Sequence, residues 1–239
     1  DFNDLVLTHL VEQALRANTS IRSAQAALQQ ARALRDVKEA NSRPSLSLSG
    51  SAQRSQTESF DANNTFRAGL DASWELDVFG TVRSGVAASE ADTQAAQASL
   101  RDVQVSIAAE VALAYIQLRG QQSQLAITQS NLSSQSETLQ ITDWRAQAGL
   151  ITSLEVEQAR AASAQTAAQI PALTTSIAKA RHSLAVLTGQ HPLDLDQVLA
   201  AAQAVPQVAD LSASVIPADT LRQRADVRAA EHRIQAALS

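Results

Sequence analysis

Between Thr81 and Ala148 the chain runs without a proline and with few glycines, in a stretch rich in Ala, Gln, Ser and Leu. Such a run reads as one continuous helix. At 1.5 Å rise per residue, roughly 65 residues make a rod about 100 Å long, for which a compact domain of this size has no room. The rod therefore excludes an ordinary globular fold. Inside it, Val111, Leu118, Leu125, Leu132 and Leu139 recur at every seventh position, the 3.5-residue period of a left-handed supercoil. The adjoining seam positions hold Ala114, Gln121, Thr128 and Gln135, so the apolar stripe is narrow. A narrow stripe suits a helix standing in a hollow tube better than one in a thick core.

Immediately before the rod the pattern is different. Phe66, Ala68, Leu70, Ala72, Trp74 and Leu76 alternate with Thr65, Arg67, Gly69, Asp71, Ser73, Glu75 and Asp77. Successive strand residues point to opposite faces, so this segment has one oily face and one wet, charged face. A weaker copy precedes it: Leu46, Leu48, Gly50 and Ala52 alternate with Ser45, Ser47, Ser49 and Ser51. The polar stretch from Glu58 to Asn64 reads as the turn between them, and Gly80 as the passage into the rod. A strand of about 12 residues tilted by about 45° spans a bilayer core of roughly 30 Å. The alternation would also suit a half-buried sheet. One hairpin is too little to be stable alone, however, and this one opens directly into a rod, which favours a membrane strand.

Composition narrows the rest. Aromatic residues make up only 3% of the 239 residues while apolar residues make up 45%, so the apolar content is largely Ala, Leu and Val. That mixture suits helices packed closely along their lengths. A formal net charge of −5 leaves no basic stripe for nucleic acid. The absence of Cys removes disulfides and thiolate sites. Met is absent even at position 1, the expectation for a segment of a longer polypeptide. His9, His182, His191 and His232 are scattered without metal-ligand spacing. Asp194 and Asp196 near His191 read as loop polar groups. No metal site, cofactor or catalytic residue is expected.

Asn3 to Ala17 reads as a short amphipathic helix. A second helix runs from about Ser20 to Asn41, and Pro44 stops it. Beyond the rod, Gly149 is a left-handed stop, and Thr152 with Glu155 forms a T-x-x-E capping box for a returning helix. That helix runs to about Thr188, with Ile170, Ile177 and Leu184 on one heptad series and Leu173, Ala180 and Leu187 on the other. Pro171 lies inside it and predicts a bend. Residues 190–217 read as irregular, and a final helix opens near Asp219. At an offset of about 206 residues this last helix copies the first part: Leu15 matches Leu221, Arg16 matches Arg222 and Arg22 matches Arg228. The chain thus ends as a second copy begins.

SWELDVFG (Ser73 to Gly80), followed by a long Ala/Gln helix containing YIQLRG (Tyr115 to Gly120), resembles the outer-membrane efflux factors of the TolC family. The likeness is to the lipoprotein branch that serves resistance-nodulation-division pumps. RAQAGLITSLEVEQAR (Arg145 to Arg160) resembles that family's helical-hairpin tip. LRQRADVRAAEHRIQAA (Leu221 to Ala237) resembles the opening of its second repeat, with Ala225 where Pro is usual. The resemblance covers the whole chain, as the N-terminal half of a family member. It implies a mainly α fold with a small β part: a long antiparallel coiled-coil hairpin plus one transmembrane β-hairpin. In a homotrimer, such halves would build an α-barrel and a β-barrel.

On that resemblance, residues 1–42 form an N-terminal equatorial helix and the first barrel helix, and residues 43–79 the membrane hairpin. Residues 80–189 form the periplasmic helical hairpin with its tip near 148–153. Residues 190–217 form an equatorial linker, and residues 218–239 start the second repeat. The assigned lipid face comprises Leu46, Leu48, Phe66, Leu70, Trp74 and Leu76. The lumen face comprises Arg67, Asp71, Ser73 and Glu75, whose simplest role is to keep the lumen wet. Gly149, Leu150, Ile151, Thr152, Ser153 and Leu154 form the tip that would dock a periplasmic adaptor (membrane fusion) protein. A Gly stop and a Thr cap are needed by any helical hairpin, but the apolar pair Leu150 and Ile151 exceeds that need. The implied function is a passive exit duct for drugs or other small molecules. It would lie in the outer membrane of a Gram-negative bacterium, in contact with its lipid and coupled to an inner-membrane pump. The alternatives are a type I protein-secretion duct and, in another class, a soluble coiled-coil scaffold.

Overall fold

The computed structural model describes residues 4–57, 60–207 and 218–239. The elements in chain order are α1 (Leu5–Ala17), α2 (Thr19–Ala40), β1 (Ser45–Thr57), β2 (Phe60–Ser73), α3 (Thr81–Gln147), α4 (Ser153–Thr188), α5 (Pro192–Leu199), α6 (Ala218–Arg222) and α7 (Ala225–Leu238). The fold is mainly helical with one two-stranded antiparallel sheet. The 67-residue α3 is the rod that the proline-free run predicts. No helix among the described residues is long and apolar enough to cross a membrane.

The chain divides into two units. One comprises residues 1–22 and 103–216. Its core gathers Leu7, Leu10 and Ala14 of α1, Val111, Tyr115 and Leu118 of α3, Ile177, Leu184 and Leu187 of α4, and Leu195 and Leu199 of α5. The helix spacing i, i+3, i+4, i+7 recurs in each set, so each helix turns one stripe inward. Asn18 ends α1 in an extended conformation (φ −63°, ψ 133°). Its side chain accepts from the Ser20 N–H at 2.8 Å and donates to the Leu187 carbonyl at 2.9 Å. One buried amide thus starts α2 and satisfies a carbonyl that the end of α4 leaves orphaned. Gly189 closes α4 at φ +65°, and a Cβ there would stand 3.1 Å from the Ala17 Cβ. Glycine is needed here on both counts.

The other unit comprises residues 23–102 and 217–239. Its helical part packs small residues: Ala91, Ala95 and Ala98 of α3 are buried, as are Leu28 of α2 and Ala229 of α7. The Thr93 hydroxyl donates to its own helix at Ser89 and leans 3.4 Å from the Ala31 carbonyl of α2. Arg233 of α7 donates to the Ser99 hydroxyl of α3.

Several boundaries differ from the sequence reading. The region 190–217 is not wholly irregular, because α5 occupies Pro192–Leu199. Proline at the first helical position loses no intrahelical bond, and His191 Nδ1 accepts from the Leu193 N–H. The final helix is two pieces, with an extended break at Arg224 (φ −61°, ψ 137°). Residue 224 is the partner of Asn18 at the 206-residue offset, and the two share their backbone angles to within a few degrees. The internal repeat is therefore present in the backbone as well as in the letters. Part of the expected irregular segment, residues 208–217, lies outside the described residues, as does Asn3 at the expected start of α1.

Gly189→Ala is expected to lower the unfolding free energy by about 1–2 kcal/mol, because it combines positive-φ strain with a close approach to Ala17. Urea denaturation of the variant beside the parent protein measures it.

Candidate lipid-facing hairpin, docking tip and buried clasp

The sheet register fixes what each face of the hairpin carries. Leu46 lies opposite Ala72, Leu48 opposite Leu70, Gly50 opposite Ala68 and Ala52 opposite Phe66. Ser45 lies opposite Ser73, Ser47 opposite Asp71, Ser49 opposite Gly69 and Ser51 opposite Arg67. Directly opposed residues share a face, so the two oily faces coincide and so do the two wet ones. A slip of one residue would mix them. The Ser45 and Ser73 hydroxyls, 2.7 Å apart, close the wet face at the strand ends. Leu46, Leu48, Phe66 and Leu70 are all strongly exposed, Leu48 at 82% and Phe66 at 77%. Arg67, Asp71 and Ser73 are exposed on the other face. The strands have 13 and 14 residues, or about 43–46 Å at 3.3 Å per residue. That is enough to cross a bilayer core at a steep tilt.

Two site expectations are corrected by the strand ends. The segment 60–64 is not a turn but the start of β2, which pairs Phe60 with Thr57 across a register irregularity. Glu58 and Ser59 lie outside the described residues. At the other end β2 stops at Ser73, so Trp74, Glu75 and Leu76 stand beyond the sheet. Their would-be partners precede Ser45, where Pro44 has no N–H to offer a ladder. Trp74 and Leu76 remain exposed. The Trp74 indole N–H donates to the Ser42 carbonyl at 3.2 Å, which leaves the ring outward and its polar edge tied to the chain.

The SWELDVFG motif also has a task that its alternation does not reveal. The Asp77 carboxylate accepts from the Val82 and Arg83 N–H groups at 3.2 and 2.9 Å, capping α3 from four residues upstream of Thr81. Gly80 at φ +79° makes the reversal, and Phe79 is left 97% exposed. A lone Asp on the wet side of an alternating run gives no sign of this. The signal lies in Asp-x-x-Gly placed before a helix.

At the tip, Gly149 is left-handed at φ +72°. Its N–H donates to Ala146 and the Leu150 N–H donates to the Arg145 carbonyl, as in a Schellman stop. The Thr152 N–H and hydroxyl both reach the Glu155 carboxylate, at 2.7 and 3.1 Å. Leu150 is 72% exposed and Leu154 is exposed on the next turn, whereas Ile151 is half-buried. The exposed apolar pair at the apex is thus Leu150 with Leu154, not Leu150 with Ile151. Thr152 and Ser153 are exposed beside them.

The YIQLRG motif supplies a buried clasp in the unit of residues 1–22 and 103–216. Arg119 has no exposed surface. It donates to Gln122 Oε1 at 2.9 Å, to the Ala201 carbonyl at 2.7 Å and to Gln203 Oε1 at 3.1 Å. Gln122 in turn donates to the Leu199 carbonyl at 2.7 Å, so the pair holds the end of α5. The guanidinium lies 4.9 Å from the centre of the buried Tyr115 ring, within cation–π range. The Tyr115 hydroxyl donates to Asp4 Oδ2 at 2.8 Å, and Asp4 Oδ1 caps α1 through the Val6 and Leu7 N–H groups. Burial pushes the Asp4 carboxyl up. The hydrogen bonds from Leu7, Tyr115 and Val6 and the Arg119 charge outweigh that push and hold it below its ordinary 3.8. Burial raises the Tyr115 phenol. Periodicity places Leu118 in the seam, but it gives no reason to bury Tyr115 and a cation beside it.

A family model described as outer membrane efflux protein matches residues 10–190. The chain belongs to that family. It is 32% identical over 239 residues to nodulation protein T of Rhizobium leguminosarum bv. trifolii, covering 96% of this chain and 50% of that protein. It is likewise 32% identical to the toluene efflux pump outer membrane protein TtgF of Pseudomonas putida, covering 99% of this chain and 50% of that one. Among solved structures, the outer-membrane channel OprN is similar at 39% identity and a TM-score of 0.87, over 98% of this chain and 54% of that chain. The chain therefore spans about half the length of the curated relatives it matches.

Arg119→Met should destabilise the protein by about 2–4 kcal/mol, because a buried glutamine and a cation–π contact lose their partner. Calorimetry or urea melts read this directly. For Asp4 the folded-state value lies below the unfolded one. Its contribution is therefore complete above 3.8 and lost as pH falls through the folded value. Asp4→Asn should show a smaller loss of stability between pH 7 and pH 3 than the parent, in paired denaturant titrations.

Proposed function

We propose that this chain is the N-terminal half of the exit duct of a tripartite efflux system. The duct would carry drugs, solvents or other small molecules passively across the periplasm and outer membrane of a Gram-negative bacterium. The observation that carries the reading is the hairpin register: one exposed face that is apolar from Leu46 to Ala52 and from Phe66 to Ala72, bounded by the Arg54–Asn64 pair and backed by one polar face, a band of about 23 Å at 3.3 Å per residue. A two-stranded sheet leaves an unpaired edge on either side, and unpaired backbone groups are not tolerated in hydrocarbon. Further strands must flank β1 and β2, and closure into a barrel is the arrangement that satisfies every edge. Leu46, Leu48, Phe66 and Leu70 would then meet lipid, with Trp74 and Leu76 at the periplasmic interface. Arg67, Asp71, Ser73 and Glu75 would line water.

The complete protein would assemble as a homotrimer in which residues 43–79 form the membrane part and residues 80–189 the periplasmic hairpin. Residues 1–42, 190–217 and 218–239 would supply the surrounding helices, the linker and the start of the second repeat. The tip at Gly149–Leu154 would dock the periplasmic adaptor, which joins the duct to an inner-membrane pump. The names of the efflux-pump relatives and the fit to an outer-membrane channel structure support transport rather than catalysis or scaffolding.

Leu150→Asp with Leu154→Asp in the complete protein should reduce drug efflux at least tenfold and abolish adaptor cross-linking, with the protein still present in the outer membrane. Unaltered efflux and cross-linking would remove the docking role. Phe66→Asp with Leu70→Asp should instead deplete the protein from the outer-membrane fraction, since each carboxylate on a lipid face costs on the order of 1–3 kcal/mol.

A further inference from the structure

The oily face of the hairpin has a charged rim at one end only. From the base outward its opposed pairs are Leu46–Ala72, Leu48–Leu70, Gly50–Ala68, Ala52–Phe66 and Arg54–Asn64. α2 ends and α3 begins at the Leu46–Ala72 end, so Arg54 and Asn64 stand at the end remote from the helices. Within residues 45–55 and 64–73, Arg54 is the one charged residue on this face. Further strands join a sheet at its edges and leave the composition of its faces as it is. The rim is therefore a property of the register and persists when β1 and β2 gain neighbours.

Behind the rim the face is hollow. Gly50, Ala52 and Ala68 are small, and Phe66 is the single large side chain between the rim and the Leu48–Leu70 pair. Gly50 does not have a positive φ, and a Cβ there would meet nothing within 4 Å. Neither backbone conformation nor packing within the chain calls for glycine at this position. Glycine inside a strand weakens it, and one use that offsets the loss is to let a ligand approach closely. The resulting trough runs along β1 for about 13 Å from Arg54 to Gly50, at 3.3 Å per residue, with Phe66 as a side wall and Leu48 and Leu70 closing its inner end.

We propose that rim and trough together form a site for a phosphorylated lipid of the outer leaflet. The Arg54 guanidinium and the Asn64 carboxamide hold its phosphate, and one acyl chain lies over Ala52, Gly50 and Ala68. The site rests on the reading that this face meets lipid. A guanidinium presents its N–H groups as a fork that matches two phosphate oxygens. Asn64, directly opposite with its Cβ about 5 Å away, adds an amide donor on the same face. An arginine at the border of an oily face lays its stem on the apolar surface and keeps its head in the polar layer. The outer leaflet of a Gram-negative outer membrane is built from a phosphorylated glycolipid, which brings the anion and the chain in one molecule. Free phosphate fits the rim but leaves the trough empty.

Lipid A, bis-phosphorylated or with both phosphates removed, is the probe, titrated against the complete polypeptide in detergent and followed by native mass spectrometry. Arg54→Gln should weaken binding of the bis-phosphorylated form about tenfold and leave the dephosphorylated form unchanged. Gly50→Leu, which fills the trough, should weaken both forms. Inorganic phosphate in large excess should displace neither. Parent-like binding of the bis-phosphorylated form by Arg54→Gln, with both proteins recovered from the outer-membrane fraction, would overturn the site and leave the outer-membrane location standing. Parent-like binding by Gly50→Leu would overturn the trough, and displacement by inorganic phosphate would overturn the lipid as occupant. A parent protein missing from the outer-membrane fraction would overturn the location and the site together.

Discussion

A helix of 67 residues cannot bury a stripe along its whole length within its own chain unless other helices run beside it. Everything else in this structure answers that constraint. The buried part of α3 near its start is lined with alanine, where α2 and α7 approach closely. Its middle carries the large side chains, together with the one cation that is fully buried among the described residues. Desolvating a guanidinium is costly unless its donors are occupied and its charge is balanced. Arg119 offsets much of that cost with three hydrogen-bond acceptors, the face of Tyr115, and a carboxylate reached through the tyrosine hydroxyl, while its Nε is left without a partner. Segments far apart in sequence are thereby fixed to one point on α3: the first turn of α1 and the residues that follow α5.

Much of this was legible in the letters. The rod, the hairpin, the left-handed stop at Gly149 and the capping box at Thr152 each depend on rules that act over a few residues. Local composition therefore reveals them. Which residues share a face was also readable, since a strand's side chains alternate with a period of two. What escaped were features that depend on a partner distant in sequence or on where a partner ends. β2 halts at Ser73 because Pro44 terminates its neighbour, although the alternation runs on to Asp77. Helix α5 was concealed by a proline that disrupts most helix positions and suits the first. The role of Arg119 was hidden because two of its three acceptors come from beyond residue 199.

The site residues divide in the same way. Leu46, Leu48, Phe66 and Leu70 are apolar and exposed in one plane, as the alternation requires. At the tip, exposure falls on Leu150 and Leu154 rather than on Ile151. The Schellman turn and the cap together decide which of the consecutive apolar residues points outward, and sequence spacing carries no such information. Asp77 belongs to neither face. It is a helix cap placed inside what reads as a strand, so the hairpin and the rod are joined by a short turn held by its own side chain.

The matched breaks at Asn18 and Arg224 carry a consequence for how such a chain diverges. Both positions bend the backbone by the same angles, yet one does so with an amide reaching a distant carbonyl and the other with a guanidinium paired to Asp226 two residues on. Geometry outlasted chemistry: the two copies kept their corner while each found a different means of holding it. Side chains at equivalent stations in the repeats are thus free to specialise, provided that the path of the main chain is preserved.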